Sequence, residues 1–378
     1  MKKSFREYHL HKILDAYDFT SGPLDLHLGN YFRSNKALGS KDRKFIAEKI
    51  YLLIRWMGLV DHHCKDSHDW EERLRVLDAL SIKKKLKDTS IDPHIRVSFP
   101  KNLFAILNKH YGEEKAISLC LASNTPAPTT VRANVLKTTR QALFEKWREK
   151  YPILLTKESV FGIRFEKKIS FGALEEFKNG HFEIQDEASQ LVANLLDAEP
   201  GDQILDYCAG AGGKTLAFAH KLQGTGQLYL HDIRERALQE AKKRLKRAGI
   251  ENGQILLSDA PHKQKLLGKM DWVFVDVPCS GTGTLRRNPD LKWKFSLEML
   301  NRLIFQQREI MKEASAFLSP TGKLVYATCS MLPEENDQQL DYFQQEFGLS
   351  LISKPFRSFP VEGGMDGFFG AVLKKLEI

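Results

Sequence analysis

Cysteine is scarce in this chain, and long apolar runs are missing. The five cysteines, Cys64, Cys120, Cys208, Cys279 and Cys329, are odd in number and form no CxxC pair. That argues against a disulfide framework and leaves any special cysteine as a reduced, working thiol. No stretch has the length and apolarity that a bilayer span needs. The opening "MKKSFREYHLHKILDAYDF" has a basic head but no apolar core behind it, so no export leader is expected. A cytoplasmic protein without a membrane partner is the expectation. "DHHCKDSH" (Asp61 to His68) carries metal-binding residue types but has no matching second half, so no metal site is expected. Internal repeats and low-complexity segments are missing too.

What is present is globular: 378 residues, 42% apolar and 28% charged, enough for two or three domains with substantial cores. The net charge of +9 is unevenly spread. Residues 1–185 hold 33 Lys and Arg against 23 Asp and Glu, whereas residues 186–378 hold 24 against 25. Such asymmetry suits a polyanion met by the first half, nucleic acid before others, although solubility alone also explains it. Nothing in the sequence fixes the oligomeric state, and a monomer is the default.

Residues 1–125 read as helices. "KDRKFIAEKIYLLIRWMGLVDHHC" sets Phe45, Ile46, Ile50, Leu53, Ile54 and Met57 at helical spacing. "NTPAP" (Asn124 to Pro128) breaks the pattern. Residues 126–185 alternate short strand-like and helical pieces, "TTVRANVL", "TTRQALFEKWREK", "GIRFEK" and "HFEIQD", and predict a small α/β unit. From residue 186 to 378 the apolar cores "QILDYC", "GQLYLHD", "QILLSD", "DWVFVDVP" and "GKLVYATC" alternate with helical stretches. That rhythm predicts a mostly parallel, doubly wound sheet covered on both faces. Ligands of such sheets bind at the carboxyl ends of the strands.

The first strand runs into "DYCAGAGGKT", Asp206 to Thr215. A triphosphate loop would need glycine where Cys208 stands, and the dinucleotide fingerprint would need its third glycine at Thr215. Both fail by one residue. The remaining reading is a loop passing close beneath an adenosine-type cofactor that lacks a pyrophosphate, with helix-start amides for a carboxylate. Asp232, twenty residues after Gly212, would take the ribose hydroxyls, and Asp259 in "LLSDA" the adenine amino group. Together these groups point to S-adenosylmethionine. The plainer alternative is tight helix–strand packing with solvated aspartates.

"VDVPCSGTGTLRRNPDLKW" and "YATCSMLPEEN" each place a cysteine, Cys279 or Cys329, at a strand end beside that loop, with Asp276 three residues before Cys279. A cysteine there is usually packing; two are harder to dismiss. Methylation of pyrimidine carbon 5 gives a thiolate a task. Its addition to C6 makes C5 enamine-like, after which the C5 proton and the thiolate must leave. A thiol with a pKa of about 8.5 needs nearby positive charge to ionise. Lys214, Arg286 and Arg287 are candidates among which the sequence does not choose. The carboxyl group of Asp276 can hydrogen-bond the cytosine ring edge, and the base must leave any stack to enter. "LRRNP" (Leu285 to Pro289) is placed to meet a phosphate. "KKKLK" (Lys83 to Lys87) and "KKRLKRAG" read as solvated faces.

"DYCAGAGGKT", "DVPCSGTGTLRRNPD" and "TCSMLPEEN" resemble the motifs of the Sun-family, or RsmB-type, RNA cytosine-5 methyltransferases. The match extends to the closing "DGFFGAVLKK". More weakly, "LGSKDRKFIAEKIYLLIRW" resembles the helical NusB-like RNA-binding domain of some members, and the middle segment their small RRM-like α+β extension. The resemblance implies a class I, Rossmann-like methyltransferase domain over 186–378, S-adenosylmethionine as donor and cytosine in RNA as acceptor, rRNA first and tRNA as the alternative. Cys329 would be the nucleophile and Cys279 would assist breakdown of the adduct. Cys208, Ala209, Gly210, Ala211, Gly212, Gly213, Lys214, Asp232, Asp259 and Asp276 would line the cofactor, with Asp276 also facing cytosine and Lys214 beside it. Many members have proline where Ala211 stands. DNA cytosine-5 methyltransferases use the Pro-Cys cysteine instead, so the Thr-Cys motif favours RNA. From another class, the rival is an RNA-binding or ribosome-assembly factor with a vestigial cofactor site.

Overall fold

Helices occupy the chain up to Ser123, because apolar residues recur there at three- and four-residue spacing. A computed structural model describes residues 4–20 and 22–376. By its internal packing the chain forms two units, one of residues 1–126 with Ser280–Leu300, the other of residues 127–279 with 301–378. The first helix, Phe5–Asp15, begins with a capping box in which the Ser4 and Glu7 side chains each accept the other residue's amide. Leu24–Ser34, Ser40–Asp61, Trp70–Ala79, Lys101–Tyr111 and Glu113–Ser123 follow. Ile46, Ile50, Leu53, Ile54 and Met57 are buried as their spacing predicts. Phe45 is not: it is 43% exposed, with the Arg6 guanidinium over its ring. No helix among the described residues is long and apolar enough to cross a membrane.

Helix Ser40–Asp61 is broken at Trp56 (φ −108°, ψ 15°), and side chains replace the lost ladder. The Gly58 and Leu59 amides donate to Ser98 Oγ at 3.0 and 3.4 Å. Their regular partners, the Ile54 and Arg55 carbonyls, accept from Trp293 Nε1 and Lys292 Nζ, each at 2.7 Å. Lys292 also donates to Asn124 Oδ1 at 2.7 Å and lies under the Phe99 ring. Burial holds its ammonium well below the ordinary lysine range. Asp290, equally buried, accepts from the Tyr17 hydroxyl (3.0 Å) and Lys294 (2.8 Å). The segment after the Pro-Cys motif is thus packed among the helices of this unit. For the phosphate expectation at "LRRNP", this rules out the side chain of Arg286, a residue that is 1% exposed and whose carbonyl accepts from Arg55, while Arg287 is half-buried.

The second unit opens with β1 (Thr129–Ala133), β2 (Ile153–Leu155), β3 (Gly162–Phe165) and β4 (Phe182–Ile184). They form an antiparallel sheet in the order β2-β3-β1-β4. With helices Arg140–Trp147 and Glu175–Lys178 between them, the chain order is βαββαβ. Trp147, Phe165, Phe171 and Phe182 fill its core. The strand β2 was not legible: three residues beside "KYP" carry no alternation.

The large sheet contains the five expected strands, β5 (Gln203–Asp206), β6 (Gln227–Leu230), β7 (Gly253–Ile255), β8 (Met270–Asp276) and β9 (Leu318–Thr328). All five run parallel, in the order β9-β8-β5-β6-β7. β10 (Leu349–Leu351), β11 (Phe356–Arg357) and β12 (Phe369–Lys375) extend it antiparallel beyond β9. Ile204, Phe274 and Val325 pack on one face, Leu205, Val275 and Tyr326 on the other. The α/β doubly wound expectation holds, with an antiparallel edge added.

Gly58 sits under the indole of Trp293, and a Cβ there would lie 2.8 Å from its ring. Gly58→Ala is expected to displace the indole and cost about 1–3 kcal/mol by overpacking, read as a lowered urea midpoint.

Candidate active site

Strand order reverses between β5 and β8, so the loops at their carboxyl ends flank a crevice. The loop after β5 is shaped by Gly210 (φ +52°) and Gly212 (φ +77°), both in the left-handed region. At Gly212 a Cβ would also press on Ala241 at 3.2 Å. The Gly210 amide donates to Asp232 Oδ2 at 2.8 Å, which ties the loop to the end of β6. Asp232 also accepts from the amide and guanidinium of Arg234 at 2.8 to 3.1 Å. Burial opposes its charge, yet these donors prevail and hold its carboxyl below the usual range. Beside it Ile233 is 77% exposed.

Lys214, at the end of the loop, meets Asp276, the last residue of β8, at 2.5 Å. Burial works against the ammonium, but Asp276, aided by Cys329 and Asp206, raises it on balance above the ordinary lysine value. Among the cations named from sequence, the Lys214 charge interacts with Cys329.

Cys279 and Cys329 lie sulfur to sulfur at 3.4 Å, both half-buried. Cys329 follows β9 directly, and a buried polar lattice fixes its loop. The Thr328 hydroxyl donates to Asn336 Oδ1 (2.7 Å), the Asn336 amide group to the Ser330 carbonyl (3.0 Å), and the Ser330 hydroxyl to Glu335 (2.5 Å). Gln307, fully buried on helix Leu297–Ser315, joins the two cysteine loops. Its Nε2 donates to the Pro278 carbonyl and to Glu335 Oε1, each at 3.0 Å. Nothing in the sequence singled out Gln307, because a polar residue within a helical pattern looks solvated.

Asp206 was also unremarked. Its Oδ2 accepts from the Thr215 hydroxyl at 2.6 Å, while its buried Oδ1 has no partner among the described residues. Burial pushes its carboxyl up to about 7, with Asp276 adding to the rise. Burial likewise pushes the Cys208 thiol up, which keeps it protonated, and its side chain packs on the core. Asp259 is exposed in the loop after β7, outside the hydrogen-bonded cluster. Ala209 is buried, and Gly213 has open space where a Cβ would stand. The structure thus gathers Gly210, Lys214, Asp232, Asp276, Cys279 and Cys329 at one sheet edge.

A loop of this shape, an acid at the second strand end and a crevice at the strand reversal define a class I methyltransferase fold. A family model described as 16S rRNA methyltransferase RsmB/F matches residues 193–374. A second, described as the RsmF/B-like ferredoxin-like domain, matches residues 99–170. The probable ribosomal RNA small subunit methyltransferase B of Synechocystis sp. is 32% identical over 302 residues, covering 74% of this chain and 67% of that protein. The ribosomal RNA small subunit methyltransferase B of Proteus mirabilis is 34% identical over 60% of this chain and 56% of its own length. The 28S rRNA (cytosine(4447)-C(5))-methyltransferase of Homo sapiens is 32% identical over 67% of this chain and 35% of its own. The chain thus spans from about one third to two thirds of these relatives. Among solved structures, PH0851 superposes on 99% of the chain with a TM-score of 0.81 at 21% identity, covering all of that chain. A methyltransferase homologue from Pyrococcus horikoshii superposes on 79% with a TM-score of 0.65 at 25% identity, again over its whole length. The chain belongs to the RsmB/F family of methyltransferases.

Two outcomes test this geometry. Gln307→Leu leaves Glu335 and the Pro278 carbonyl short of a donor, and is expected to destabilise the protein by about 1–3 kcal/mol in urea titrations. The raised Asp206 carboxyl stays protonated in the folded state while it ionises in the unfolded chain, so its contribution to stability falls as pH climbs from about 4 to about 7. Asp206→Asn removes that slope: relative to the wild type, the variant should gain stability between pH 5 and pH 8 in urea denaturation.

Proposed function

We propose that this chain transfers a methyl group from S-adenosylmethionine to carbon 5 of a cytosine in RNA, with ribosomal RNA as the first substrate to test. The observation that carries the reading is the contact of two cysteine sulfurs at 3.4 Å, one of them within the field of the Lys214 ammonium. The residues fit the donor by their chemistry. Asp232 offers an ionised acceptor to ribose hydroxyls, Asp259 an acceptor to an amino group, and exposed Ile233 an apolar face to adenine. Gly213 leaves room for close approach. Bound there, S-adenosylmethionine supplies an electrophilic methyl group on a sulfonium.

The chain's own residues do the rest. Lys214 favours the thiolate of Cys329, whose proton is given up to solvent. Cys329 Sγ bonds to C6 of cytosine and sends the electron pair toward C5, which makes that carbon nucleophilic. Asp276 meets the ring edge and is kept in place by Lys214. After methylation a base takes the C5 proton, the C5–H electron pair restores the C5–C6 double bond and expels Cys329 as thiolate, and Cys279 assists this breakdown of the adduct. On this reading residues 1–125 are a NusB-like RNA-contacting domain, 126–185 an RRM-like extension, and 186–378 the catalytic domain.

Cys329→Ala is expected to abolish both methylation and adduct formation, whereas Cys279→Ala is expected to accumulate protein joined to RNA, seen as a shifted band on denaturing gels. The reverse outcome would exchange the roles. Base-resolution mapping of methylated cytosines with and without the protein separates rRNA from tRNA. Failure of the full chain to bind S-adenosylhomocysteine would leave only an RNA-binding factor.

A further inference from the structure

The glycine loop is held not only by its own sheet but by two arms that lead back to the βαββαβ extension. In the first arm, the Arg132 guanidinium on β1 donates to Gln185 Oε1 at 2.7 Å. That orients the amide of Gln185, one residue beyond β4, so that its Nε2 donates to the Gly213 carbonyl at 3.2 Å. In the second arm, buried Glu183 on β4 accepts from Arg244 at 2.9 Å and from Arg247. Arg244 then donates through its other terminal nitrogen to the Ala211 carbonyl at 2.8 Å. Arg244 and Arg247 lie on helix Glu235–Ala248, in the stretch that sequence alone reads as a solvated basic face. Their pairing with a buried carboxylate corrects that reading. Nearby, Asn134 next to β1 donates to the Ala248 carbonyl at 2.9 Å, and Lys137 to the Arg247 carbonyl at 2.7 Å, so the extension grips the end of the same helix.

The two held carbonyls lie within the span Gly210–Lys214 that shapes the site. Ala211 stands between two left-handed glycines, the most conformationally free neighbours a residue can have. Ordering such a stretch costs entropy unless something outside it holds the ordered form.

We infer that Glu183, Arg244 and Gln185 are positioning residues for the cofactor loop, and that the small extension sets cofactor affinity through them. The inference rests on the reading of this site as an S-adenosylmethionine site. It gives the extension a task at the donor pocket, in addition to any contact with RNA. The Ala211 amide has no acceptor among the described residues, so a proline at this position removes no hydrogen bond and stiffens the loop by other means.

The test measures S-adenosylhomocysteine binding to the full chain by calorimetry, together with KM for each substrate and the unfolding midpoint. Arg244→Ala is expected to raise the dissociation constant about tenfold, in line with loss of a charge-assisted hydrogen bond. KM for S-adenosylmethionine should rise with it while KM for RNA stays unchanged. Glu183→Gln, which touches neither loop nor donor, should move affinity in the same direction by less. Combined with Ala211→Pro, Arg244→Ala should lose clearly less affinity than it does alone. Unchanged binding in a folded Arg244→Ala protein would overturn the inference, as would an equal loss in both backgrounds. If the wild type itself fails to bind, the reading of the site falls and takes this inference with it.

Discussion

A single buried ammonium organises the sheet edge on which everything else depends. Asp206 and Asp276 end neighbouring strands, and two thiols lie at the strand ends alongside. In this half-buried setting, acids and a nascent thiolate would repel one another, and burial works against the charged forms. Lys214 meets Asp276 directly and interacts with Asp206 and Cys329. The pair itself is weak evidence of stability, because both ions gave up water to form it. Its value is in orientation. It fixes which acid is charged, and it places positive potential where sulfur must ionise.

Around that ion pair, the loops are fixed by hydrogen bonds rather than by apolar packing. The stretch from Thr328 to Asn336 spends its hydroxyls, amide and carboxylate on itself, and Gln307 ties it to the turn before Cys279. A hydrogen-bonded network of this kind specifies one arrangement in a way that interchangeable methyl groups do not. That accounts for the motif "TCSMLPEEN" as a unit. One residue presents sulfur, and Thr328, Ser330, Glu335 and Asn336 hold it still.

Much of this was legible before the structure because parallel strands covered on both faces read as uninterrupted apolar runs. The five central strands stand out for that reason, and the site residues follow from their position at the runs' ends. The antiparallel edge did not stand out, since β10 and β11 are too short to show a period. Partners distant in sequence were also invisible. Arg244 and Arg247 follow a solvated helical pattern until β4 brings Glu183 beneath them. Arg286 looks like a phosphate ligand until its segment is seen packed among helices. Phe45 fits the apolar stripe by spacing yet lies outside it, because a helix has room for only so wide a buried face.

The repair at Trp56 has a consequence for biosynthesis. The amides and carbonyls freed at that break find partners on Ser98, Lys292 and Trp293. Ser98 leaves the ribosome soon after the broken helix, but the other two lie more than two hundred residues further along the chain. The first helices to emerge therefore cannot reach their final packing until residues 292 and 293 have been made. They wait, with a gap the size of an indole and a lysine, until the chain doubles back to fill it. The N-terminal unit is therefore not completed by the first 126 residues alone, because it also takes in residues 280–300.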